Sequence, residues 1–189
     1  MSARLVLLGP PGAGKGTQAA RLAEKLGVPA ISTGDIFRAN IKGGTELGKK
    51  VQEVTASGAL VSDELTNELV RDRLAQPDAA DGFLLDGYPR NPAQVAALDE
   101  ILGAERPLDL AVEITANFDV VTERLLKRAQ IEGRADDTED VVRHRLDVYA
   151  EQTAPISALY AERGLLVQVD GIGEVDEVTQ RLVDAIGPR

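Results

Sequence analysis

A glycine-rich segment at residues 9–17, GPPGAGKGT, constrains the fold of this chain more than any other part of its sequence. It follows a short apolar run, Arg4–Leu8, and precedes a stretch in which apolar residues recur at helical spacing up to Leu26. Such a loop between a strand and a helix lets successive backbone N–H groups converge on phosphate oxygens, and Lys15 can reach the outer phosphates. The segment therefore predicts a phosphate-binding loop, the alternative being a glycine-rich turn with an exposed lysine.

Short apolar runs alternate with amphipathic stretches along the chain, a pattern typical of a parallel sheet that helices cover on both faces. A chain of 189 residues is expected to form one α/β domain of this kind. Ser62-Asp63-Glu64 is expected to begin a helix, Pro155 to kink or divide the longest helix, and Gln130–Gly133 to form a hinge. The five strand candidates are Arg4–Leu8, Pro29–Ile31, Phe83–Asp86, Leu110–Ile114 and Leu165–Val169, and the last three helices are expected near 117–130, 138–163 and 174–186.

The composition excludes several classes of protein. A formal net charge of −10 opposes a broad grip on nucleic acid phosphates, and the absence of cysteine excludes disulfides, thiolate nucleophiles and cysteine-bound zinc. From this charge we predict that the protein has no nucleic acid partner. Only four apolar residues follow the first arginine, so we predict a cytoplasmic protein with no signal peptide and no membrane span. The single histidine, His144, is expected to face solvent, which leaves no catalytic triad. The excess of arginine over lysine, 15 to 6, indicates either phosphate recognition or a bias in genomic base composition.

Two residues are candidate magnesium ligands. Asp86 ends an apolar strand, and in this fold class ligands gather at the carboxyl ends of the strands, so its carboxylate could hold magnesium directly or through water. The alternative is a turn-forming aspartate before Gly87. Thr17 is a weaker candidate, because the usual loop has Ser or Thr directly after the lysine and here Gly16 intervenes.

Residues 124–145 form a net positive segment in an acidic chain, with six basic and five acidic side chains. Arg124 and Arg128 are four residues apart and share one helix face, whereas Val121 and Leu125 share another. By itself such a pair of arginines usually marks a solvated face. Beside a phosphate-binding loop it is a candidate clamp on transferring phosphoryl groups, which require positive charge above all.

Five segments, in order along nearly the whole chain, resemble the nucleoside monophosphate kinases, and most closely the adenylate kinases. They are Gly9–Gln18, Ile31–Arg38, Phe83–Arg90, Gly133–Asp137 and Asp170-Gly171. The Lys-Gly-Thr ending of the loop is typical of this family, and the short spacing before GRADD resembles its short-lid form.

The resemblance implies a P-loop NTPase-like three-layer fold with a five-stranded parallel sheet. It implies a single kinase domain over 1–189, with a small helical NMP-binding element at 32–61 and a short lid at 128–138. The implied reaction is reversible phosphoryl transfer from MgATP to AMP, giving two ADP, by a monomer that needs no zinc. Such an enzyme would maintain the balance of adenine nucleotides.

The resemblance also implies a role for each matching residue. Asp86 would belong to the magnesium shell, through water, with Thr17 as a second candidate, and Asp136 and Asp137 would hold the closed lid. The implied ATP-binding residues are Gly12, Ala13, Gly14, Lys15, Gly16, Thr17, Arg124, Arg128 and Gly173. The implied AMP-binding residues are Thr33, Arg38, Ala59, Leu60, Val61, Gly87, Tyr88, Pro89, Arg90, Gln94, Arg134 and Arg145. The implied catalytic residues are Lys15, Arg90, Arg124, Arg134 and Arg145.

Four alternatives remain at the level of the sequence. Without the resemblance, Thr33, Arg38 and Gln94 are interpreted as a helix cap, a helix-surface base and a helix-surface amide. A kinase for UMP or CMP would use the same scaffold, but such relatives tend to carry Ala in place of Thr33 and Asn in place of Gln94, which favours AMP. A guanine nucleotide switch would require an Asn-Lys-x-Asp stretch, which the chain lacks, and an ATP-hydrolysing motor fits its length poorly.

Overall fold

The computed structural model describes residues 3–10, 12–57, 61–133 and 138–188. Within these residues, five strands pair in parallel to form one sheet, in the order β2-β3-β1-β4-β5. The central strand, β1, leads directly into the glycine-rich loop. The predicted α/β class with a five-stranded parallel sheet is confirmed, and β2 and β5 each begin one residue later than predicted. The strands are β1 Arg4–Leu8, β2 Ala30–Ser32, β3 Phe83–Asp86, β4 Leu110–Thr115 and β5 Leu166–Asp170.

Helices cover both faces of the sheet, because successive side chains of each strand point to opposite sides. Val6 and Leu8 of β1 belong to the core that includes α4, α5 and α7, whereas Leu5 and Leu7 belong to the core that includes α1 and α8. Within the described ranges, no helix is long and apolar enough to cross a membrane. The helices are α1 Lys15–Leu26, α2 Thr33–Gly43, α3 Glu46–Ala56, α4 Asp63–Leu74, α5 Pro92–Leu102, α6 Phe118–Glu132, α7 Glu139–Glu162 and α8 Val175–Ile186, with a 3₁₀ turn at Pro77–Ala79.

Side-chain caps fix the start of three helices that surround the candidate site. The Ser32 hydroxyl accepts a hydrogen bond from the third backbone N–H of α2, and the Ser62 hydroxyl does the same at α4. The Asn91 side chain accepts from the Gln94 N–H at the start of α5, at 2.9 Å. Each cap satisfies one of the backbone donors that a helix leaves unpaired at its first turn. The three helix starts are therefore well defined in position.

The structure excludes one alternative for α7, that Pro155 divides it, and contradicts the hinge expected in α6. Pro155 does not divide the longest helix, which runs from Glu139 to Glu162 with the proline inside it. The side chains of Thr153, Ile156 and Tyr160 are buried against the rest of the protein, and we attribute the continuity of the helix to this packing, which outweighs one lost backbone hydrogen bond. Residues 130–132 are not a hinge but the last turn of α6, and only Gly133, with a φ of 67°, leaves the helix.

Two of the three tyrosines, Tyr88 and Tyr160, are buried, and Tyr149 is half-buried with its hydroxyl shielded from solvent, which makes the stability of the protein sensitive to high pH. Burial is the main cause that raises the pKa of Tyr88, Tyr149 and Tyr160 well above the ordinary value near 10, and a nearby carboxylate raises each further. In the unfolded chain the same phenols ionise near pH 10. The neutral phenols thus favour the folded state fully below about pH 10, and this contribution is lost as the pH rises toward the folded values.

We therefore expect the free energy of unfolding to fall steadily as the pH rises above about 10. Urea unfolding over a pH series gives the free energy, and tyrosinate absorbance reports ionisation without interference, because the chain has no tryptophan. The absorbance should rise together with unfolding measured by circular dichroism. Gradual ionisation of all three phenols near pH 10 in the folded protein would contradict the prediction.

Candidate active site

The glycine-rich loop presents an open helix N-terminus to solvent. Gly12 and Gly14 have φ values of 83° and 80°, a left-handed conformation that other residues rarely adopt, and Gly14 is the N-cap of α1. No side chain caps this helix, and its first turn carries no acidic residue. The N–H groups of Lys15, Gly16 and Thr17 have no partner inside the helix and lie at its positive end. These features favour the binding of an anion at the loop.

Helix α6 packs directly on this loop. A Cβ atom at Gly12 would come within 2.8 Å of Leu125 Cγ and 3.0 Å of Val121 Cγ1, so that only glycine allows this approach. Val121 and Leu125 are buried, whereas Arg124 and Arg128 are exposed on the neighbouring face of the same helix. The two arginines thus lie on an element that is in contact with the loop, although neither lines the two cavities described below.

An ion pair joins the loop to the carboxyl end of β3. The Lys15 Nζ lies 2.7 Å from Asp86 Oδ1, and the two side chains are 26% and 17% exposed. Asp86 is placed there by the sheet, in which it is the direct neighbour of Leu7 in β1 and of Ser32 in β2. The structure therefore brings the candidate metal ligand and the loop lysine together at one edge of the sheet.

A first cavity, of about 620 Å³, lies between α2, α4, α5 and α7. Thr33 and Gln94 line it and are only 6% and 5% exposed, so Gln94 is not the helix-surface amide that its local sequence suggests. Glu151 of α7 also lines this cavity, and no sequence signal had indicated it. The volume is in the range of cavities that hold small organic ligands. Further lining residues include Gly34, Val61, Gly87, Arg90 and Pro155.

A hydrogen-bond network holds the amide of Gln94 at the wall of this cavity. Its Oε1 accepts from the Arg90 backbone N–H at 2.7 Å, and its Nε2 donates to Asp63 Oδ1 at 2.9 Å. Asn91 Nδ2 donates to the same Asp63 oxygen at 3.2 Å. The sequence indicated Asp63 only as part of a helix start, because its partners are about 30 residues away along the chain and carry no local signal.

A second cavity, of about 490 Å³, is lined by Gly9 and Lys15 of the glycine-rich loop and shares Gly87, Arg90 and Gln152 with the first cavity. Three of the predicted basic residues, Lys15, Arg90 and Arg145, line it, and Arg90 lines both cavities. The Arg90 guanidinium is exposed, and its Nε donates to the Gly87 carbonyl at 2.8 Å. Tyr88 and Pro89 also line the second cavity. Positive charge from three separate parts of the chain thus converges on one space.

His144 lies at the wall of the second cavity as well, beside Arg145. It is exposed, as expected, but its neighbourhood is the candidate site and not a remote surface. Tyr149 lines the same wall, and its hydroxyl is buried without a hydrogen-bond partner among the described atoms.

Other predicted site residues lie apart from the cavities or outside the described residues. Arg38 is exposed and forms an ion pair with Asp35, and it is not among the residues that line the first cavity. Thr17 is exposed on the first turn of α1. Ala59, Leu60 and Arg134, together with the predicted lid residues Asp136 and Asp137, lie outside the described residues.

The loop between β5 and α8 is bonded to the end of β4, and α8 is bonded to α1, the helix that follows the glycine-rich loop. The Gly171 N–H donates to the Thr115 carbonyl at 2.7 Å, and Gly173 follows with a φ of 134°. The buried Gln18 side chain of α1 donates to the Val175 carbonyl at 3.1 Å and accepts from the Thr179 hydroxyl at 2.6 Å. These contacts fix α8 against α1 and hold the loop before α8 at the end of β4.

Comparison with known proteins assigns a family to this architecture. A family model described as "Adenylate kinase" matches residues 7–165. A protein from Kocuria rhizophila called "Adenylate kinase" is 61% identical over 184 residues, which cover 97% of this chain and 98% of that protein. Proteins of the same name from Pseudarthrobacter chlorophenolicus and Thermobifida fusca are 57% and 56% identical, and the matches cover 97% and 98% of this chain and 96% and 99% of theirs.

The close approach at Gly171 yields a prediction about stability. A Cβ atom there would overlap Ile114 Cγ2 and lie 3.1 Å from the Thr115 carbonyl oxygen, so Gly171→Ala must displace the loop or strain a buried strand. We expect a loss of about 1–3 kcal/mol in the free energy of unfolding, measured by urea titration.

The matched control is Gly43→Ala at the end of α2, where the nearest atom to the added Cβ is Thr45 Cγ2 at 3.9 Å. This variant should be as stable as the unsubstituted protein or slightly more so. Equal stability of the two variants would show that the contact at Gly171 does not constrain the loop.

Proposed function

This chain belongs to the adenylate kinase family, and we propose that its two connected cavities hold the two nucleotides of the reaction in line. It is an enzyme that transfers a phosphoryl group from ATP to AMP and gives two ADP, in a reversible reaction. We assign the ATP phosphates to the glycine-rich loop and AMP to the cavity lined by Thr33 and Gln94. The observation that carries this assignment is the second cavity, where Lys15 of the loop faces the same space as Arg90, which also lines the first cavity.

The attacking group needs no general base. A phosphate monoester loses its second proton near pH 6, so an AMP phosphate oxygen is already anionic near neutral pH. The chain therefore has to align two like-charged nucleotides and neutralise the charge that spreads over the moving phosphoryl group. The backbone N–H groups of the loop and Lys15 would hold the donor phosphates. Arg90 and Arg145 would balance charge at the point of transfer, because both line the second cavity.

The residues present fit a magnesium ion that arrives with ATP. Magnesium prefers oxygen ligands and usually binds one or two protein groups together with substrate phosphates and water. Asp86 provides a carboxylate next to Lys15, and Thr17 provides an exposed hydroxyl on the first turn of α1. We propose that Asp86 holds the ion through water, with Thr17 as the second candidate. When bound, the ion would neutralise charge on the two outer phosphates of ATP.

The remaining basic residues are assigned to closure of the site. Arg124 and Arg128 lie on α6, which packs on the loop through Val121 and Leu125. We assign them, with Arg134, to the donor and transfer sites when a lid at 128–138 covers the nucleotides. Closure would exclude water, which competes with AMP as the acceptor and is present at far higher concentration.

Residues 32–61 would act as the second mobile part of the single domain 1–189. Helices α2 and α3 pack against each other, and α2 also contacts α4. We assign Thr33, Val61 and Gln94 to the adenine of AMP, with Ala59 and Leu60 at the edge of its pocket. Arg38 would turn from Asp35 to the AMP phosphate. Gly173 lies two residues before Val175, whose carbonyl accepts a hydrogen bond from Gln18, and it would border the ATP base.

Three broader properties stay predictions from the composition. A monomeric state, a cytoplasmic location and the absence of a nucleic acid partner are consistent with a net charge of −10 and a chain of 189 residues. Sedimentation of the purified protein would test the first of these directly.

The activity is tested most directly with ADP as the sole nucleotide. With magnesium, the protein should convert ADP into equal amounts of ATP and AMP, and chelation of the metal should stop the conversion. UDP or CDP alone serve as controls and should remain unchanged. Stable ADP, combined with phosphorylation of UMP or CMP by ATP, would identify a kinase with a different acceptor.

The assignment of charge to the second cavity is tested by Arg90→Ala. We expect kcat to fall about 100- to 1,000-fold, equivalent to about 2.7–4 kcal/mol, on the scale of removing one preorganised donor from a transition state. Lys15→Met should cost at least as much, with the fold intact by circular dichroism.

The controls carry the same substitutions at exposed or remote positions. Lys25→Met lies at the other end of α1, and Arg163→Ala removes an arginine that pairs with Asp99 away from both cavities. Both should retain nearly full activity. A change smaller than about threefold in Arg90→Ala would remove that residue from the set that stabilises the transition state.

A further inference from the structure

Within the described residues, Asp63 is the one acidic residue whose side chain accepts a hydrogen bond from the side-chain amide of Gln94. The proposed function assigns no role to Asp63. It is the first residue of α4 and is half-buried at the wall of the first cavity. Its carboxylate also accepts from Asn91 Nδ2, at 3.2 Å and 3.3 Å for the two oxygens. Since Asn91 caps α5 and Ser62 caps α4, the carboxylate is fixed between two helix starts.

The contacts of Gln94 determine which way its side-chain amide points. An amide group has two N–H donors on nitrogen and two lone pairs on oxygen. One donor is used by Asp63 and one lone pair by the Arg90 backbone N–H. A reversed amide would place its oxygen against the carboxylate and its NH₂ group against the backbone N–H. With Gln94 only 5% exposed, water cannot compensate for those two losses, so the amide is held in one orientation.

The second N–H and the second lone pair of this amide can form two hydrogen bonds with a ligand in the cavity. Adenine presents an amino donor at C6 between two ring nitrogens that accept, and a glutamine amide matches such an edge with two hydrogen bonds. A 6-oxo purine presents an acceptor at C6 and a donor at N1. That edge matches the same amide only after the amide has been reversed.

We propose that Asp63 is a positioning residue that fixes the Gln94 amide in one orientation and thereby selects a 6-amino purine over a 6-oxo purine as acceptor. The inference rests on the proposed function, because it assumes that the acceptor base enters the first cavity. This role requires no contact between Asp63 and the base. Asp63 acts through the energy needed to reverse the amide of its neighbour.

The test measures kcat/KM for AMP and for inosine monophosphate, with saturating MgATP, in the full chain and in variants at residue 63. Asp63→Leu removes the acceptor at similar volume, and Asp63→Ala removes it with a small side chain. Asp63→Asn keeps an oxygen that can accept from Gln94. Glu64→Leu is the matched control, since Glu64 is exposed in the same first turn of α4 and loses the same charge.

We expect the preference for AMP over inosine monophosphate to fall about tenfold or more in Asp63→Leu and Asp63→Ala, the scale of one lost bidentate contact. The change should occur in KM, which rises for AMP and falls for inosine monophosphate, and KM for ATP should not change. Asp63→Asn should retain most of the preference, and Glu64→Leu all of it.

Equal losses for both acceptors would overturn the inference, because they would indicate a purely structural role. A loss in Asp63→Asn as large as in Asp63→Leu would also overturn it, since charge and not hydrogen bonding would then be decisive. If Asp63→Leu does not fold, Asp63→Ala decides by the same ratio. If the unsubstituted protein phosphorylates AMP and the variants keep its ratio of kcat/KM for AMP to that for inosine monophosphate, only the role of Asp63 is refuted. If the unsubstituted protein has no activity on AMP, the proposed function is refuted as well.

Discussion

The register between β1 and β3 is the constraint on which the site depends. Leu7 lies opposite Asp86, so β3 ends just where β1 gives way to the glycine-rich loop. The Asp86 carboxylate consequently lies 2.7 Å from Lys15 Nζ, although the two residues are 71 positions apart in the sequence. A slip of one residue would turn Asp86 to the opposite face of the sheet and separate the pair. The apolar side chains on both faces of the central strands prevent such a slip, because each residue has its own core to fill.

The charges of the protein are separated by location. Most of the ion pairs of the described arginines lie at the protein surface. Examples are the pairs of Arg73 with Asp78 and of Arg163 with Asp99. Such pairs add little to stability, but they neutralise basic side chains where no anion needs to bind. At the second cavity, Lys15 pairs with Asp86, whereas the Arg90 guanidinium donates to the Gly87 backbone carbonyl. One cation of this cavity is therefore left without a carboxylate partner among the described residues, in a chain whose net charge is −10.

The parts of the structure that could be predicted are those that local sequence specifies. Short apolar runs located all five strands to within one residue, and the glycine-rich loop located the start of α1. Asp86 could be placed beside the loop because parallel strands end at a common edge. The continuity of α7 through Pro155 could not be predicted, since it reflects buried contacts of Ile156 and Tyr160 with distant elements.

The burial of Gln94 and its bond to Asp63 were beyond reach for a similar reason. Each residue has an ordinary local setting on a helix, and only the docking of α4 against α5 brings them together. The same holds for Glu151 and His144, which α7 delivers to the cavity walls across the fold. Local patterns thus indicated the glycine-rich loop and Asp86, whereas Gln94 was indicated only by the family resemblance. Glu151 and the contacts of Asp63 were not indicated at all.

The buried contact between Gln18 and Thr179 has a consequence for how the molecule is made. It joins side chains 161 positions apart, and Val178, Leu182 and Ile186 of α8 complete the core beneath α1. On a ribosome, the first third of the chain would emerge with that apolar face uncovered. The glycine-rich loop and α1 can acquire this support only after α8 has been synthesised, so the N-terminal part of this core waits for a partner that lies 161 positions later in the chain.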